Sequence, residues 1–570
     1  MKKTAITLLL VVIGAGAEAQ TMYDALRYSE NNYEGTARTM AMGNAFTALG
    51  GDLGSVTINP AGSAVARYSQ FTITPGVAIS VNSSGGTSQD YFQTTYKTPM
   101  GKFSLPNIGF SVNFDTHRTS GIKNWALGFT VNKTNTYNND LYTRGLNSTT
   151  TFSGALATFA AGILVDDLIL TDSYDPYPDS RIPYDVILGY EAGIIQPPGE
   201  TQIVDGNEVL KYPDTYIGVA ENYDIINEGD AENEFISAGL PADASIEQIY
   251  SRRILGAKYD YVFNFGANVS DVVYFGANLG ITSLNYSQEY YIREMSGGDA
   301  SDYSMFQTKF NSLRYNNVYS ASGVGVYGKF GIIVTPGNGL RLGAAIQTPT
   351  AMSIQERWSA SAEMTTYDET YGNGDAETPE SEYEYNLTSP FRFNVGAAYT
   401  FGDFAVISAD YEMANYGGMF IHEANTNDNT QFETLNEDIR DFMGAQHMFR
   451  LGAEVRPASS FAIRAGYGLT TSPEKVEDEG GRLVYLQKLA DKPGRTMSHR
   501  FSFGLGYSSS GSFFADLALQ ATRYADEYIY PYDYYYLDGE NVFIDPTVNT
   551  PEILSRRWLI NVALTLGFRF

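Results

Sequence analysis

Charged side chains recur at alternate positions along several segments of the chain's second half. The cations are Arg392, Arg450, Arg464 and Arg500, the anions are Asp410, Glu412, Glu454 and Asp516, and Lys329 and Arg341 precede them. Such groups on one face of neighbouring strands can form a ladder of salt bridges. For any single one of these residues, we prefer this structural interpretation to a role in ligand binding. A cation in an apolar pocket can instead bind a ligand carboxylate, because a buried carboxylate needs a charge partner or hydrogen bonds.

The residues typical of catalysis form no constellation in this sequence. The four histidines, His117, His422, His447 and His499, are scattered, and no pair has metal-ligand spacing on one element. There is no cysteine, no nucleophile elbow and no phosphate-binding loop. We therefore expect no enzyme activity, no metal and no cofactor.

Segments of about ten residues with alternating hydrophobicity follow one another through most of the chain, as in transmembrane strands. Tyr261, Phe263 and Phe265 alternate with polar or small residues, for example. The polar face is rich in Gly, Asn and Ser rather than Lys and Glu, which suits a barrel lumen better than the surface of a soluble sandwich. About fourteen such segments begin near Tyr68, Ser104, Lys123, Arg253, Val272, Leu313, Leu340, Tyr383, Asp403, His447, Phe461, Met497, Ser512 and Leu554.

The connections between these segments alternate between long and short. This parity indicates an even-stranded barrel with both ends on one side, short turns on the periplasmic side and long loops outside. The prediction is an all-β fold: a transmembrane antiparallel β-barrel of about fourteen strands over residues 68–570, closed by a last strand that ends on Phe570.

Composition and the first residues of the chain further limit the class of protein to which it can belong. The formal net charge of -28 argues against a nucleic-acid partner. Met1–Ala19 has two lysines, an apolar core and a small-x-small cleavage site, so it predicts a signal peptide. No later stretch is long and apolar enough to span a membrane as a helix.

Residues 20–67 are neither strand-like nor one long helix, since Gly and Pro interrupt them. A compact segment of small residues ahead of a barrel predicts a plug inside the lumen. Its stretch AMGNAFTALGGDLGSVTINPAGSA resembles the N-terminal hatch of the FadL/TodX family of outer-membrane transporters. The stretches Ser389–Gly396 and Phe449–Tyr467 also look familial.

The resemblance implies passive uptake of a hydrophobic compound, with long-chain fatty acids as our first expectation, through the outer membrane of a Gram-negative bacterium. It implies a movable gate, for which the candidate residues are Gly43, Gly50, Gly51, Asn59, Pro60, Ala61 and Gly62. Outer-membrane lipid and lipopolysaccharide would surround the protein, which we expect to be a monomer. The family's kinked strand, which opens a lateral route in the wall, cannot be located from the sequence.

Four residues are candidates for ligand contact. Arg392 and Lys329 could meet a fatty-acid carboxylate in the lumen. Phe159 and Leu164 belong to Phe152–Leu170, an apolar segment in an otherwise acidic loop, which is a candidate landing site for the ligand. The other interpretation of this segment is a short helix packed over the barrel mouth. Acidic residues of the same loop could bind a cation, but their spacing favours a solvated surface.

Other functions stay open at this point. The Tyr-rich stretch Tyr528–Tyr536 in a long acidic loop would suit a surface adhesin or structural barrel. A porin for polar solutes would need an unplugged lumen. Haem or an aromatic hydrocarbon could replace the fatty acid as ligand.

Overall fold

The structure is a computed structural model that describes residues 21–204, 207–227, 234–297, 302–368, 372–424, 430–478, 480–538 and 541–570. The predicted signal peptide, Met1–Ala19, lies outside the described residues. So do three carboxylates of the acidic loop, Glu228, Asp230 and Glu232.

Fourteen antiparallel strands form one closed barrel, as predicted. They are β1 (Gln70–Gly86), β2 (Tyr96–Asp115), β3 (Ile122–Thr136 and Asn139–Asn147), β4 (Ile246–Val269), β5 (Val273–Ser296), β6 (Phe310–Gly337), β7 (Leu340–Gln347 and Ala351–Thr366), β8 (Gly374–Glu377, Ser381–Thr388 and Arg392–Phe401), β9 (Ala405–Asn415 and Phe420–Glu423), β10 (Ala445–Ala458), β11 (Phe461–Thr470), β12 (Ser498–Ser508), β13 (Phe513–Arg523 and Glu527–Ile529) and β14 (Ile553–Arg569). Each strand pairs with the next, and β14 pairs with β1 from Arg569 opposite Gln70 to Ile553 opposite Gly86.

The faces of the wall are reversed relative to a soluble protein. On β4, Tyr261, Phe263 and Phe265 point outward and are 39–51% exposed, whereas Asp260 and Asn264 point inward and are buried. Large apolar side chains cover the outside of the other strands in the same way. An apolar exterior around a polar interior is the arrangement of a barrel that stands in lipid.

Strand positions follow the sequence prediction except at three upper ends. Strands β2, β4 and β8 begin at Tyr96, Ile246 and Gly374, several residues before the predicted starts near Ser104, Arg253 and Tyr383. The extra residues include outward charges such as Lys97 and Asp375, so they lack the apolar alternation on which the prediction was based. The turn between β6 and β7 contains Asn338 and Gly339 with φ of 52° and 81°, the left-handed pair of a tight hairpin.

Among the described residues, helices lie in the N-terminal segment and the long loops, apart from one 3-10 turn that interrupts β9. The α-helices are α1 (Met22–Ser29), α2 (Ala37–Ala41), α3 (Phe152–Ala160), α4 (Pro176–Asp179), α5 (Tyr184–Glu191), α6 (Glu433–Phe442) and α7 (Leu486–Leu489). The 3-10 helices are Leu53–Ser55, Pro60–Val65, Val165–Leu168, Asp302–Met305, Tyr416–Gly418, Thr430–Phe432 and Pro493–Arg495. Among the described residues, no helix combines the length and the apolar character needed to cross a bilayer.

The long loop between β3 and β4 folds into a cap, defined here as residues 148–245. It contains α3, α4, α5 and three small hairpins, Ile195–Gln196 with Ile217–Gly218, Thr201–Val204 with Asn207–Leu210, and Asn222–Asn227 with Glu234–Gly239. Two further loop hairpins are Lys475–Glu477 with Leu483–Tyr485 and Tyr535–Asp538 with Asn541–Ile544. Cap residues such as Leu156 and Ile187 share one apolar core with Phe310 and Leu313 of β6. The acidic loop is therefore a packed subdomain on the end of the barrel, although its composition suggested a solvated surface.

Candidate functional site

Residues 21–66, called the N-terminal segment below, lie inside the barrel and are almost completely buried. Glycines of the wall allow the close approach. A Cβ on Gly276 would lie 2.5 Å from the carbonyl carbon of Pro60, and one on Gly343 would lie 2.1 Å from the carbonyl oxygen of Thr47. These wall glycines were read in the sequence only as small lumenal residues, and their role in seating the segment was missed.

The glycines of the predicted gate serve two different purposes. Gly43 has φ +63° and lies against the backbone of β10 and β11, where a Cβ would be 3.0 Å from the carbonyl oxygen of Leu451. Gly50 has φ +60° and touches Gly62, while the amide of Gly51 donates to the carbonyl of Gly62 over 2.8 Å. One glycine therefore faces the wall, and the others close the segment on itself.

Asn59 fixes the segment to the wall. Its Nδ2 donates to the carbonyl of Thr47 over 2.7 Å and to those of Ile332 on β6 and Ala344 on β7 over 3.1 and 3.3 Å. Its Oδ1 accepts from the amide of Ala61, as at the N-cap of a helix, and Pro60 is the first residue of the 3-10 helix. The Asn-Pro-Ala-Gly stretch thus combines a helix start with an anchor.

Arg392 lies on β8 at full burial and already has three partners. One guanidinium nitrogen donates to the carbonyl of Ser29 at the end of α1 over 2.6 Å and to the hydroxyl of Tyr416 over 3.0 Å. The other forms an ion pair of 3.3 Å with Glu412 of β9. The candidate ligand-binding cation therefore holds the N-terminal segment in this conformation.

Two wall lysines act in the same way. Lys329 of β6 donates from Nζ to the carbonyl of Thr57 over 2.7 Å, and Lys258 of β4 donates to the carbonyl of Tyr28 over 2.9 Å. All three cations thus bind main-chain oxygens at the ends of short helices or turns, where carbonyls lack partners within their own element.

The charged side chains that point into the lumen form salt bridges between neighbouring strands, as their alternate positions along the strands allow. Glu454 accepts from Arg38 of the segment over 2.9 Å and from Arg464 of β11 over 2.7 Å, and Arg464 reaches Asp516 of β13. Glu412 similarly joins Arg392 and Arg450. The segment thus supplies one cation to a network of charged side chains on the wall. Because these side chains are all buried, each charge needs an oppositely charged partner.

The wall is interrupted between β2 and β3. These strands pair from Asp115 opposite Asn124 up to Asn107 opposite Asn132, and no ladder joins their described residues above that point. Among the described residues, the upper part of β3, Asn139–Asn147, forms a backbone ladder with β4 alone, although the side chain of Thr98 on β2 donates to the carbonyl of Asp140. Residues 133–137 are buried at every position, so the strand parts from β2 and bends toward the lumen while it keeps its pairing with β4.

The N-terminal segment takes up the carbonyls that β2 does not use. The amide of Asn32 donates to the carbonyl of Thr134 over 2.7 Å, and the amide of Glu34 donates to that of Lys133 over 2.8 Å. Thr134 is the extra residue of a bulge, because Lys258 opposes Asn135 while Tyr259 opposes Lys133. The bulge redirects β3, and the segment stabilises the redirected strand.

An apolar cluster fills the loop side of the lumen around the start of the segment and reaches this break. It surrounds α1 and includes Leu26, Tyr28, Tyr286, Tyr385 and Ile439 of α6. Tyr137, at the point where β3 breaks, belongs to the same cluster and packs edge-on against Tyr286 at 5.4 Å. The cluster therefore connects the loop side of the lumen with the interrupted part of the wall.

The predicted landing segment divides into two parts. Phe152–Ala160 is helix α3, packed over the barrel mouth, and the ring of Phe159 contacts that of Tyr535 with centroids 4.8 Å apart and planes tilted by 41°. Leu164 is 50% exposed, and Leu170 is 62% exposed. The first part matches the alternative interpretation of a helix over the mouth, and only the second offers apolar surface to a ligand arriving from solvent.

A buried carboxylate lies under α3. Glu221 accepts from the hydroxyl of Tyr534 over 3.1 Å, and the site leaves no room for a side chain at Gly154. Burial raises the pKa of Glu221 to about 7, although the hydrogen bond from Tyr534 opposes the shift. The carboxyl therefore favours its protonated form in the folded cap at acidic pH.

No protein-family model and no curated protein matches this chain. Among solved structures it is similar to the toluene transporter TodX of P. putida, with 13% identity, a TM-score of 0.46 and coverage of 95% of this chain and 99% of that one. It is also similar to a FadL homologue of Pseudomonas aeruginosa (10% identity, TM-score 0.47, 94% and 99% covered) and to CymD, a monoaromatic hydrocarbon channel (11%, 0.41, 94% and 98%).

TodX, CymD and the FadL homologue are FadL/TodX channels. At these identities the likeness to them concerns the fold alone.

Replacing Asn59 with Ala should loosen the N-terminal segment without opening the barrel. The change removes the donor to three carbonyls and the cap on Ala61, and each lost buried hydrogen bond costs about 1–3 kcal/mol. Limited proteolysis of the purified protein in detergent should show faster cleavage within residues 21–66. Ser63→Ala is the matched control, since the hydroxyl of Ser63 donates within the same 3-10 helix, to the carbonyl of Pro60. Equal cleavage of both variants would contradict the anchoring role of Asn59.

The cap should be more stable at pH 5.5 than at pH 8. Glu221 has its pKa raised from 4.5 to about 7, so between these values the folded cap holds a proton that the unfolded chain has lost. Stability therefore falls as the pH rises through this window. Hydrogen exchange of the α3 amides, corrected for intrinsic rates, should be slower at pH 5.5 by on the order of tenfold. Glu221→Gln should reduce the difference, and the remainder comes from Glu294, a second buried carboxylate that accepts from the amide of Phe152 at the start of α3. Glu208→Gln, at an exposed carboxylate of the same cap, should leave the difference unchanged.

Proposed function

We propose that this protein is an outer-membrane channel for the passive uptake of hydrophobic compounds, with long-chain fatty acids as substrates and the N-terminal segment as its gate. The observation that carries the proposal is the combination of a filled lumen with a break in the wall. A filled lumen gives polar solutes no open path, whereas an apolar cluster that ends at an interrupted ladder gives a hydrophobic molecule a sideways exit.

The apolar exterior supports the membrane location. A barrel leaves no strand edge exposed to lipid, and outward Phe, Leu and Tyr side chains suit the hydrocarbon region. A signal peptide at Met1–Ala19 would direct the chain to export, and the outer membrane of a Gram-negative bacterium is where such barrels stand. This membrane offers no ATP, so the proposed transport is diffusion down a gradient.

The route that we propose has three parts. A hydrophobic molecule meets the exposed apolar side chains of the cap, Leu164 and Leu170 among them. It enters the cluster around α1, where Phe432 and Ile439 lie on the loop side. It leaves between β2 and β3, past Tyr137, into the membrane.

The wall cations give this route a gate. Arg392 and Lys329 hold the carbonyls of Ser29 and Thr57, which are neutral acceptors. A fatty-acid carboxylate is a stronger acceptor for either cation, since its negative charge adds a Coulomb attraction that a neutral carbonyl lacks. A ligand that replaces these carbonyls binds the protein more tightly when the N-terminal segment is displaced than when it is seated. This difference in affinity is the condition for a ligand to shift the equilibrium between the two conformations.

Uptake of a labelled long-chain fatty acid by cells with and without the protein tests the proposal. The wild-type protein should support uptake, and deletion of residues 23–66 should alter it. Arg392→Ala should reduce uptake of the acid several-fold but not uptake of its methyl ester, which lacks the carboxylate. Arg464→Ala is the control, because it removes a lumenal cation whose partners are wall carboxylates.

Three outcomes of this assay would contradict parts of the proposal. Equal loss of acid and ester in Arg392→Ala would assign Arg392 to structure alone. Uptake of toluene but of no fatty acid would move the substrate to neutral hydrocarbons. No lipid uptake, with sugar leakage only in the deletion variant, would retain the plug and assign function to the loops as an adhesive surface.

Deletion of Thr134 should close the lateral exit. Without the bulge, β3 can continue its regular pairing with β4 and return to the wall beside β2. Uptake should then fall while the barrel still forms. Deletion of Lys123 is the matched control, since it removes the extra residue of a second irregularity between the same strands at the opposite end. Unchanged uptake in the Thr134 deletion, with a folded barrel, would exclude an exit at this break.

A further inference from the structure

A basic cleft lies on the outer face of the barrel, away from the lumen and the break. It is open, has a volume of about 520 Å³, and is lined by Gly494 and by six side chains. These are Arg495, His499, Phe501, Arg523, Arg556 and Trp558. A cleft with three guanidinium groups and two aromatic rings contrasts with a chain whose net charge is -28.

Strand register places the cleft at the upper edge of the apolar band. His499 of β12 is paired with Arg523 of β13, and Arg523 is paired with Trp558 of β14. Below them on the same outer face, Phe503 and Leu519 are 49% and 48% exposed. The basic groups thus begin where the outward apolar side chains end, at the level of lipid headgroups, and Trp558 and Phe501 mark that level as interfacial aromatics do.

The charge in the cleft is not balanced. Arg523 and Arg556 share one carboxylate, Asp526, and among the described residues Arg495 has no ion pair. Asp526 is almost fully buried, whereas the side chain of Arg556 is 45% exposed. Two positive charges therefore remain in excess beside lipid.

Three other outward arginines on the loop side of the barrel have their own carboxylates. Arg144 pairs with Glu247, Arg253 with Asp140, and Arg357 with Glu382. Among the described residues Arg293 of β5 and Arg314 of β6 also lack an ion pair, but neither lines the cleft, where three arginines meet one carboxylate.

The basic groups are positioned by their surroundings. Arg523 donates to Asp526 over 2.6 Å, and the amide of Asp526 donates to the carbonyl of Arg495 over 2.8 Å. His499 contacts the hydroxyl of Tyr467 through Nδ1 and the carbonyl of Gly494 through Nε2. These bonds hold the turn at residues 493–495 against the strands, so the cleft is formed before a ligand arrives.

We propose that this cleft binds the phosphate group of a phosphorylated glycolipid in the outer leaflet. Guanidinium groups recognise phosphate through paired hydrogen bonds, and a lipid brings its phosphate to this height with its acyl chains along Phe503 and Leu519. The proposal rests on the outer-membrane location in the proposed function, but not on what the channel carries.

Binding of lipid A to the full-length barrel in phosphatidylethanolamine nanodiscs tests the proposal, with native mass spectrometry as the readout. Bisphosphorylated lipid A should bind, and its dephosphorylated form should bind at least about tenfold more weakly, because it lacks the anionic oxygens that accept from the guanidinium groups. This comparison uses the wild-type protein, so it does not depend on the folding of any variant.

Variants then locate the site. The triple variant R495A/R523A/R556A should lose the preference for the phosphorylated form. The matched control R144A/R253A/R357A removes three arginines from the same side of the barrel and should keep it. Both should show the heat-dependent gel shift of a folded barrel.

Three results would overturn the proposal: equal binding of both lipid forms, an unchanged preference in the first variant, or equal loss in the control. Full competition by equimolar inorganic phosphate would assign the cleft to free phosphate instead of a lipid. Loss of fatty-acid uptake with retained lipid A binding would contradict the proposed substrate and leave this site standing.

Discussion

Closure of the backbone hydrogen-bond ladder is the constraint on which the rest of this structure depends. In hydrocarbon an unpaired amide or carbonyl costs several kcal/mol, so a strand can leave the wall only where another group takes its place. The pairing of β14 with β1 satisfies the constraint at the two ends of the sheet. Above Asn132 the ladder between β2 and β3 stops, and there the amides of Asn32 and Glu34 replace the missing neighbour. The plug and the break therefore depend on each other, because the segment that fills the lumen also donates the hydrogen bonds that stabilise the bent strand.

Filling the lumen requires small residues on both partners. The sequence between Thr36 and Ala66 is mostly Gly, Ala, Ser and Thr, and the facing wall supplies Gly276, Gly343 and Gly466. Because this leaves little apolar volume at the contact, much of the attachment is polar. Asn59 binds three carbonyls, and Arg38 enters a network with Glu454. Buried ion pairs add little net stability, but removal of one partner is strongly destabilising. Such a network therefore determines the position of the plug more than it increases the stability of the protein.

Much of the fold could be predicted because the strands of a membrane barrel show a regular alternation of apolar and polar residues in the sequence. Alternation located all fourteen strands, and the parity of loops gave their direction. The break was missed because residues 133–137, Lys-Thr-Asn-Thr-Tyr, are as polar as any lumenal stretch. Their burial depends on the N-terminal segment, roughly a hundred residues away. The core of the cap was missed for a related reason, since Leu156 and Ile187 are buried only when the loop meets Phe310 of the wall. Arg392 and Lys329 were identified as inward cations, but alternation cannot tell which acceptor each one finds.

The acceptors that they find explain how one set of cations can serve both structure and transport. A cation held by a carboxylate alone would be neutralised and of little use to an anionic ligand. Lys329 binds a main-chain carbonyl, and Arg392 divides its donors between Glu412, Tyr416 and the carbonyl of Ser29. Each therefore keeps a donor on a neutral, exchangeable acceptor that belongs to the plug rather than to the wall. In the proposed mechanism the donors belong to the wall and remain in place when their acceptors leave with the plug. Binding of a carboxylate and release of the plug would then be the same exchange of hydrogen bonds.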